Sequence, residues 1–149
     1  MDRQAFINAM RTLVTAHWSD VTANGIYLFA EVGTIPIEDI SAASRFPFAI
    51  INDEIAHVGR WGLANKGSEG VVTLYRVVKD TEDFETDVLA DLETMRDGII
   101  ASPTLDYGFL LEAPETYISA TEMLNDYFLR VHAPMRSGAV RFRYAAVES

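Results

Sequence analysis

From residue 3 to residue 18, apolar positions recur at steps of three and four. Phe6, Ala9, Met10, Leu13, Val14 and His17 share one stripe, and that period predicts an amphipathic helix. Asp20 to Gly25 breaks it. From Ile26 to Val32 the period becomes two: Ile26, Leu28, Ala30 and Val32 alternate with Tyr27, Phe29 and Glu31. Both sets are largely apolar, which predicts a well-buried strand. Residues 33–45 read as an irregular connection containing Pro36. FPFAII at 46–51 reads as the next strand, with Pro47 at its start or on an edge, because proline has no N–H for the ladder. Residues 52–70 hold Gly59, Gly62, Gly67 and Gly70 and read as a long mobile loop or a hairpin excursion. Val71–Val78 is the cleanest strand. Val71, Thr73, Tyr75 and Val77 take one face; Val72, Leu74, Arg76 and Val78 take the other.

Asp80-Thr81 then reads as the cap of a second helix over 82–101. Glu82, Asp83 and Glu85 fall in its first turn, where the helix dipole favours anions. Phe84, Val88, Leu89, Leu92, Met95, Ile99 and Ile100 form its core stripe, and Ser102-Pro103 ends it. Short strands are expected at Tyr107–Leu111, Thr116–Thr121, Tyr127–His132 and Ala139–Val147, the last two joined through residues 133–138. One conflict stays open. Ser119-x-x-Glu122 matches a capping box, and Met123, Leu124, Tyr127, Phe128 and Val131 also fit a helical stripe, so 119–131 reads as strand or helix. The order α-β-β-β-α, followed by strands, predicts one α+β domain over 1–149. Its sheet is mixed or antiparallel and packs against two main helices, at about 3–18 and 82–101.

Composition narrows the function classes. The chain has 149 residues and no cysteine, which excludes disulfides, thiol nucleophiles and thiolate metal sites. Twelve Lys+Arg against 22 Asp+Glu give a net charge of −10. So acidic a chain should repel DNA and anionic membranes. No apolar run reaches the roughly 18 residues of a membrane span, and MDRQAFINAM shows no apolar signal region. The cytoplasm, or a particle assembled there, is the expected location.

The search for chemistry yields no catalytic, metal or cofactor site. The histidines His17, His57 and His132 share no ligand spacing. Glu54-x-x-His57 has the spacing of half a di-iron site but lacks the second motif and the helical context. Asp53-Glu54 reads as solvated surface. Gly67-Ser68-Glu69-Gly70 lacks the strand–elbow–helix setting of a nucleophile, and there is no phosphate-cradling glycine motif.

Local rules are broken in two places. Residues 80–97 carry eight acidic side chains and one basic one, and Asp83, Asp87 and Asp91 stand four apart, with like charges along one stripe. Near the other end, Arg130, Arg136, Arg141 and Arg143 are four of the twelve basic residues; Arg141 and Arg143 alternate with Phe142 and Tyr144. An acidic helix and an arginine-bearing strand on one chain permit head-to-tail contact between identical subunits, which closes into a ring if the rotation allows. Asp83, Asp87, Asp91, Arg130, Arg141 and Arg143 are therefore the expected lateral contacts. Trp61, within Gly59-Arg60-Trp61-Gly62, is a candidate anchor, and His57, Arg60, Trp61 and Lys66 form a candidate contact loop.

The order of elements resembles a family. An N-terminal helix ends in Ala16-His17-Trp18. Then come Ile26–Val32, Phe46-Pro47-Phe48-Ala49-Ile50-Ile51, a Gly-rich excursion, Val71–Val78, the helix at 82–101 and the closing strand Val140-Arg141-Phe142-Arg143-Tyr144. This is similar to the tail terminator (tail completion) proteins of long-tailed bacteriophages and phage-like particles. The resemblance implies a structural virion protein at the tail–neck junction. It would form a ring, usually of six subunits, that caps the head-proximal end of the tail tube and stops its polymerisation. The same ring would dock the head connector, with DNA passing through the lumen without specific binding. Its partners would be further copies of itself, the tube protein and the connector, with no enzyme activity, cofactor or membrane. Another neck, head-closure or tube protein fits the same pattern. A small cytoplasmic α+β ligand-binding or enzymatic domain is the alternative from a different class.

Overall fold

The structure is a computed structural model that describes residues 3–29, 46–61, 65–102, 104–105, 108–120 and 135–148. It is an α+β fold. Helix α1 (Arg3–His17) leads through a short 3-10 turn (Ser19–Val21) to β1 (Ile26–Leu28), β2 (Phe48–Trp61) and β3 (Asn65–Lys79). Helix α2 (Phe84–Ala101) follows, then β4 (Thr104–Leu105), β5 (Gly108–Leu110), β6 (Glu115–Tyr117) and β7 (Met135–Glu148). The strands form one sheet in the order β1-β2-β3-β7-β5-β4, with β6 also on β7. β1 runs parallel to β2, and the other pairings are antiparallel, so the sheet is mixed.

The helical stripes hold. Ile7, Met10 and Val14 of α1 are buried, as are Phe84, Val88, Leu92, Met95 and Ile99 of α2, while Ile100 is exposed. These side chains pack on the sheet face made by Ala49, Ile51, Val72, Leu74, Val140, Phe142 and Tyr144. The other face carries a second cluster, with Phe48, Ile50, Tyr75, Val77 and Ala139. A strand buried on both faces loses its polar alternation, which is why Phe46–Ile51 reads as an unbroken apolar run. Gly25 opens β1 with φ 135°, a region side chains avoid, and a Cβ there would sit 2.5 Å from the Tyr27 ring.

Several expectations need correction. Of the two readings of 52–70, the hairpin holds and the mobile loop does not: β2 continues to Trp61 and β3 begins at Asn65, paired from Phe48↔Val77 out to Trp61↔Asn65. Gly59, Gly67 and Gly70 sit within the ladder, with Gly59 opposite Gly67 and Gly70 opposite Tyr144 on β7; Gly62 lies outside the described residues. Main-chain pairing to β7 holds the outer part of β3 as well, and that pairing leaves no apolar signature. Helix α2 starts at Phe84 rather than residue 82. Asp83 takes the cap position without a side-chain cap bond, because the chain already turns there, with Phe84 N–H donating to Thr81 O at 3.2 Å. Residues 135–138 are part of β7 and not of a turn. The glycine in that stretch, Gly138, lies opposite Arg76 under α2. The strand at Val71–Val78 and the ending at Ser102 stand as expected. β1 ends at Leu28 rather than Val32 and is half-buried rather than well buried, and the strand expected at Thr116–Thr121 is Glu115–Tyr117, with 118–120 outside it. Residues 30–45 and 121–134 lie outside the described residues, and with them the strand expected at Tyr127–His132, the strand-or-helix question over 121–131, and Arg130.

Gly138 gives a direct test of this packing. A Cβ there would come within 2.5 Å of Val88 Cγ1, 2.9 Å of Leu92 Cδ1 and 3.2 Å of the Tyr117 carbonyl oxygen. Two of these neighbours are side-chain ends that can shift; the third is backbone. Gly138→Ala should therefore cost about 1–3 kcal/mol as overpacking, read by urea denaturation. Unchanged stability would mean that α2 does not press on β7 there.

Candidate functional site

The most highly organised polar group in the structure lies between the sheet and the helices. Arg76 sits on the helix-facing side of β3, in line with Val72 and Leu74, and is only 5% exposed. Its guanidinium makes two hydrogen bonds to Asp20, Nη1 to Oδ1 at 2.9 Å and Nη2 to Oδ2 at 2.6 Å. Nε lies 2.9 Å from Asp91 Oδ2 as an ion pair. The group stands 5.7 Å from the centre of the Trp18 ring. Trp18 is itself buried and donates Nε1–H to the Asp91 main-chain oxygen at 2.8 Å. Four residues thus join the 3-10 turn after α1, the middle strand β3 and the middle of α2.

The two carboxylates respond in opposite directions. Two hydrogen bonds from Arg76 hold Asp20 below the usual aspartate range, against the opposing effect of partial burial. Asp91 is pushed up, chiefly by burial; its attraction to Arg76 is offset in part by repulsion from Asp20 and Asp87. Asp20 therefore stabilises the fold above its unfolded pKa, and that contribution is lost as pH falls through its lower folded pKa. Ionised Asp91 costs stability, and acid relieves that cost first. Asp20 is half-exposed, so solvent screening limits its share. Asp20→Asn should lose about 1 kcal/mol at pH 7, and the deficit should shrink as acid protonates Asp20 in wild type. Urea denaturation at neutral and acid pH checks this, and a deficit that did not shrink in acid would refute the assignment.

The expected contact residues divide on inspection. Asp83 and Asp87 are exposed on α2, together with Glu82 and Glu85 just before and within its first turn. No ion pair engages these four among the described residues. Asp91 is turned inward to Arg76. Arg143 donates Nη1–H to Glu112 at 2.9 Å, and Arg136 lies over the Phe84 ring at 4.0 Å and 3.6 Å from Asp80. Arg141 is exposed, lies opposite Glu115 and Thr73, and has no ion pair among the described residues. Beside it the Tyr117 hydroxyl donates to Glu115 at 2.5 Å, a bond that raises the Tyr117 pKa. His57, Arg60, Trp61 and Lys66 lie on the paired arms of the β2–β3 hairpin, with Arg60 opposite Lys66 and His57 opposite Glu69. Glu54 and His57 belong to a strand, on either side of a register shift between Ile55 and His57. The positions of their side chains lie outside the description.

Two of the clefts lined by described residues matter here. One, of about 210 Å³, lies along Val71, Glu112, Glu115, Arg141 and Arg143. The other, of about 310 Å³, lies between Phe46-Pro47, the end of β3 and the first half of α2. No cluster of three or more metal-ligating side chains occurs among the described residues, and no described helix is long and apolar enough to cross a membrane. No protein-family model matches the chain, and no curated protein matches it.

Proposed function

We propose that this chain is a ring-forming structural protein of a phage-type tail–neck junction, a tail terminator that caps the tail tube and joins it to the head connector. One observation carries the reading: exposed charges of opposite sign stand on opposite sides of a single sheet. The helix side presents Glu82, Asp83, Glu85 and Asp87; the other side presents Arg141. Such a subunit is complementary to its own copy in a head-to-tail sense, the geometry that closes into rings. A net charge of −10 suits a lumen through which DNA slides without adhering.

The sheet adds a second support. At about 3.3 Å per residue, a 14-residue strand such as β2 spans roughly 46 Å. At about 1.5 Å per residue, the 18-residue α2 spans roughly 27 Å. Neither described helix can cover the β2–β3–β7 ribbon from end to end. We read the length of ribbon beyond the two described helices as surface for neighbours in the ring, the tube or the connector.

Electron microscopy and light scattering of the purified protein test this. The expected result is a closed ring of uniform mass, near 100 kDa for six subunits of 16.6 kDa, that loosens as salt screens the contacts. Added tube protein should then give tubes of limited length. A species that stays monomeric at high concentration, with and without tube protein, would overturn the reading; open-ended tubes formed by this chain alone would make it a tube subunit instead.

A further inference from the structure

The larger cleft has the chemistry of a receptor for a basic side chain. Phe46, Pro47 and Phe84 supply apolar walls, and Asp87 and Asp91 stand one helical turn apart on one side. Arg76 lines it from within, its Nε held 2.9 Å from Asp91 Oδ2, which leaves Asp87 as the lining carboxylate with no ion pair among the described residues. Carboxylates outnumber the buried cation: Asp20 and Asp91 share the one guanidinium, with Asp87 close enough to raise Asp91 further. Lys79, on the lining, is exposed. Aromatic faces beside carboxylates favour a planar cation. The chain already uses that mode once, where Arg136 lies over Phe84 and against Asp80.

An exposed ion pair in open solvent contributes little. Asp87 and Arg141 meeting at a rim would not hold a ring together, whereas a cleft that removes water from the pair strengthens it. Four other arginines are already paired: Arg76, Arg96, Arg136 and Arg143. Arg141, exposed on the opposite side of the sheet, stands beside Tyr117 and opposite Glu115 and has no ion pair among the described residues.

We propose that the cleft between Phe46-Pro47 and the first half of α2 receives the Arg141 side chain of a second copy of this chain. The proposal rests on the side-by-side association argued above and names the contact that makes it.

The test is charge reversal on both sides of the contact. Asp87 is exposed, so Asp87→Lys should leave the thermal midpoint near wild type; Arg141→Glu places a carboxylate opposite Glu115 across the strand pair and should lower it by a few degrees while the fold persists, which circular dichroism checks. Each alone should weaken self-association at least tenfold by sedimentation, and the double variant should regain most of it. If wild type forms rings and both single variants still do, the cleft is not the receptor, although the ring stands. If the double variant stays as weak as the singles, Asp87 and Arg141 do not meet. If wild type never associates, the ring and this contact fall together.

Discussion

Trp18→Ala should destabilise the protein by about 3–5 kcal/mol, the largest single loss expected from this structure. Domains of this size have only about 5–15 kcal/mol to lose. The indole is 2% exposed in the core cluster shared by α1, α2 and the sheet. Removing it opens a cavity, strips the aromatic neighbour from Arg76, and leaves the Asp91 carbonyl without the Nε1–H donor. Trp18→Phe separates these effects. It keeps much of the volume and an aromatic face but removes the donor, so it should cost about 1–2 kcal/mol. Chemical denaturation of both variants reads the difference. If Trp18→Ala lost less than 1 kcal/mol, α1 would not be docked as described.

Arg76→Met should cost about 2–4 kcal/mol. Removing one partner of a fully buried ion pair typically costs 3–5 kcal/mol, because the other charge is left uncompensated. Here Asp20 can turn to solvent and Asp91 is partly exposed, which lowers the figure. Asp91 has less freedom, since burial already raises its pKa. The double variant Arg76→Met, Asp91→Asn should therefore recover about half the loss, and a double-mutant cycle measures that coupling. A double variant less stable than Arg76→Met alone would show that Asp91 does not depend on Arg76 for its charge.

Much of this arrangement can be read in the sequence, though unevenly. The two helices and the faces of β3 follow from apolar spacing. Arg76 stands in line with Val72, Leu74 and Val78, and a charge on a face that packs against helices implies carboxylate partners. What spacing cannot supply is their identity: Asp20 lies 56 residues away, and only the folded sheet brings it near. Asp91 misleads for a geometric reason. At 3.6 residues per turn, each four-residue step overshoots by about 40°. From Asp83 to Asp91 the acidic stripe therefore drifts by about 80°, off the solvent side toward Val88 and Leu92. The hairpin is obscured by its composition. Gly59, Gly67 and Gly70 resemble loop residues, yet strand pairing needs only their main-chain N–H and C=O groups, and β7 supplies a second row of partners.

The placement of β7 matters while the chain is being translated. It pairs β3 along Asn65–Lys79's inner side, from Lys66↔Glu148 to Lys79↔Met135, yet every other described strand leaves the ribosome before it. Until then the nascent protein carries a β3 with one row of amides and carbonyls unclaimed, a template for mispairing between neighbouring chains. Folding should thus be completed only after synthesis of residues 135–148, and a pulse of protease during translation should find β3 open to cleavage until that last stretch has emerged.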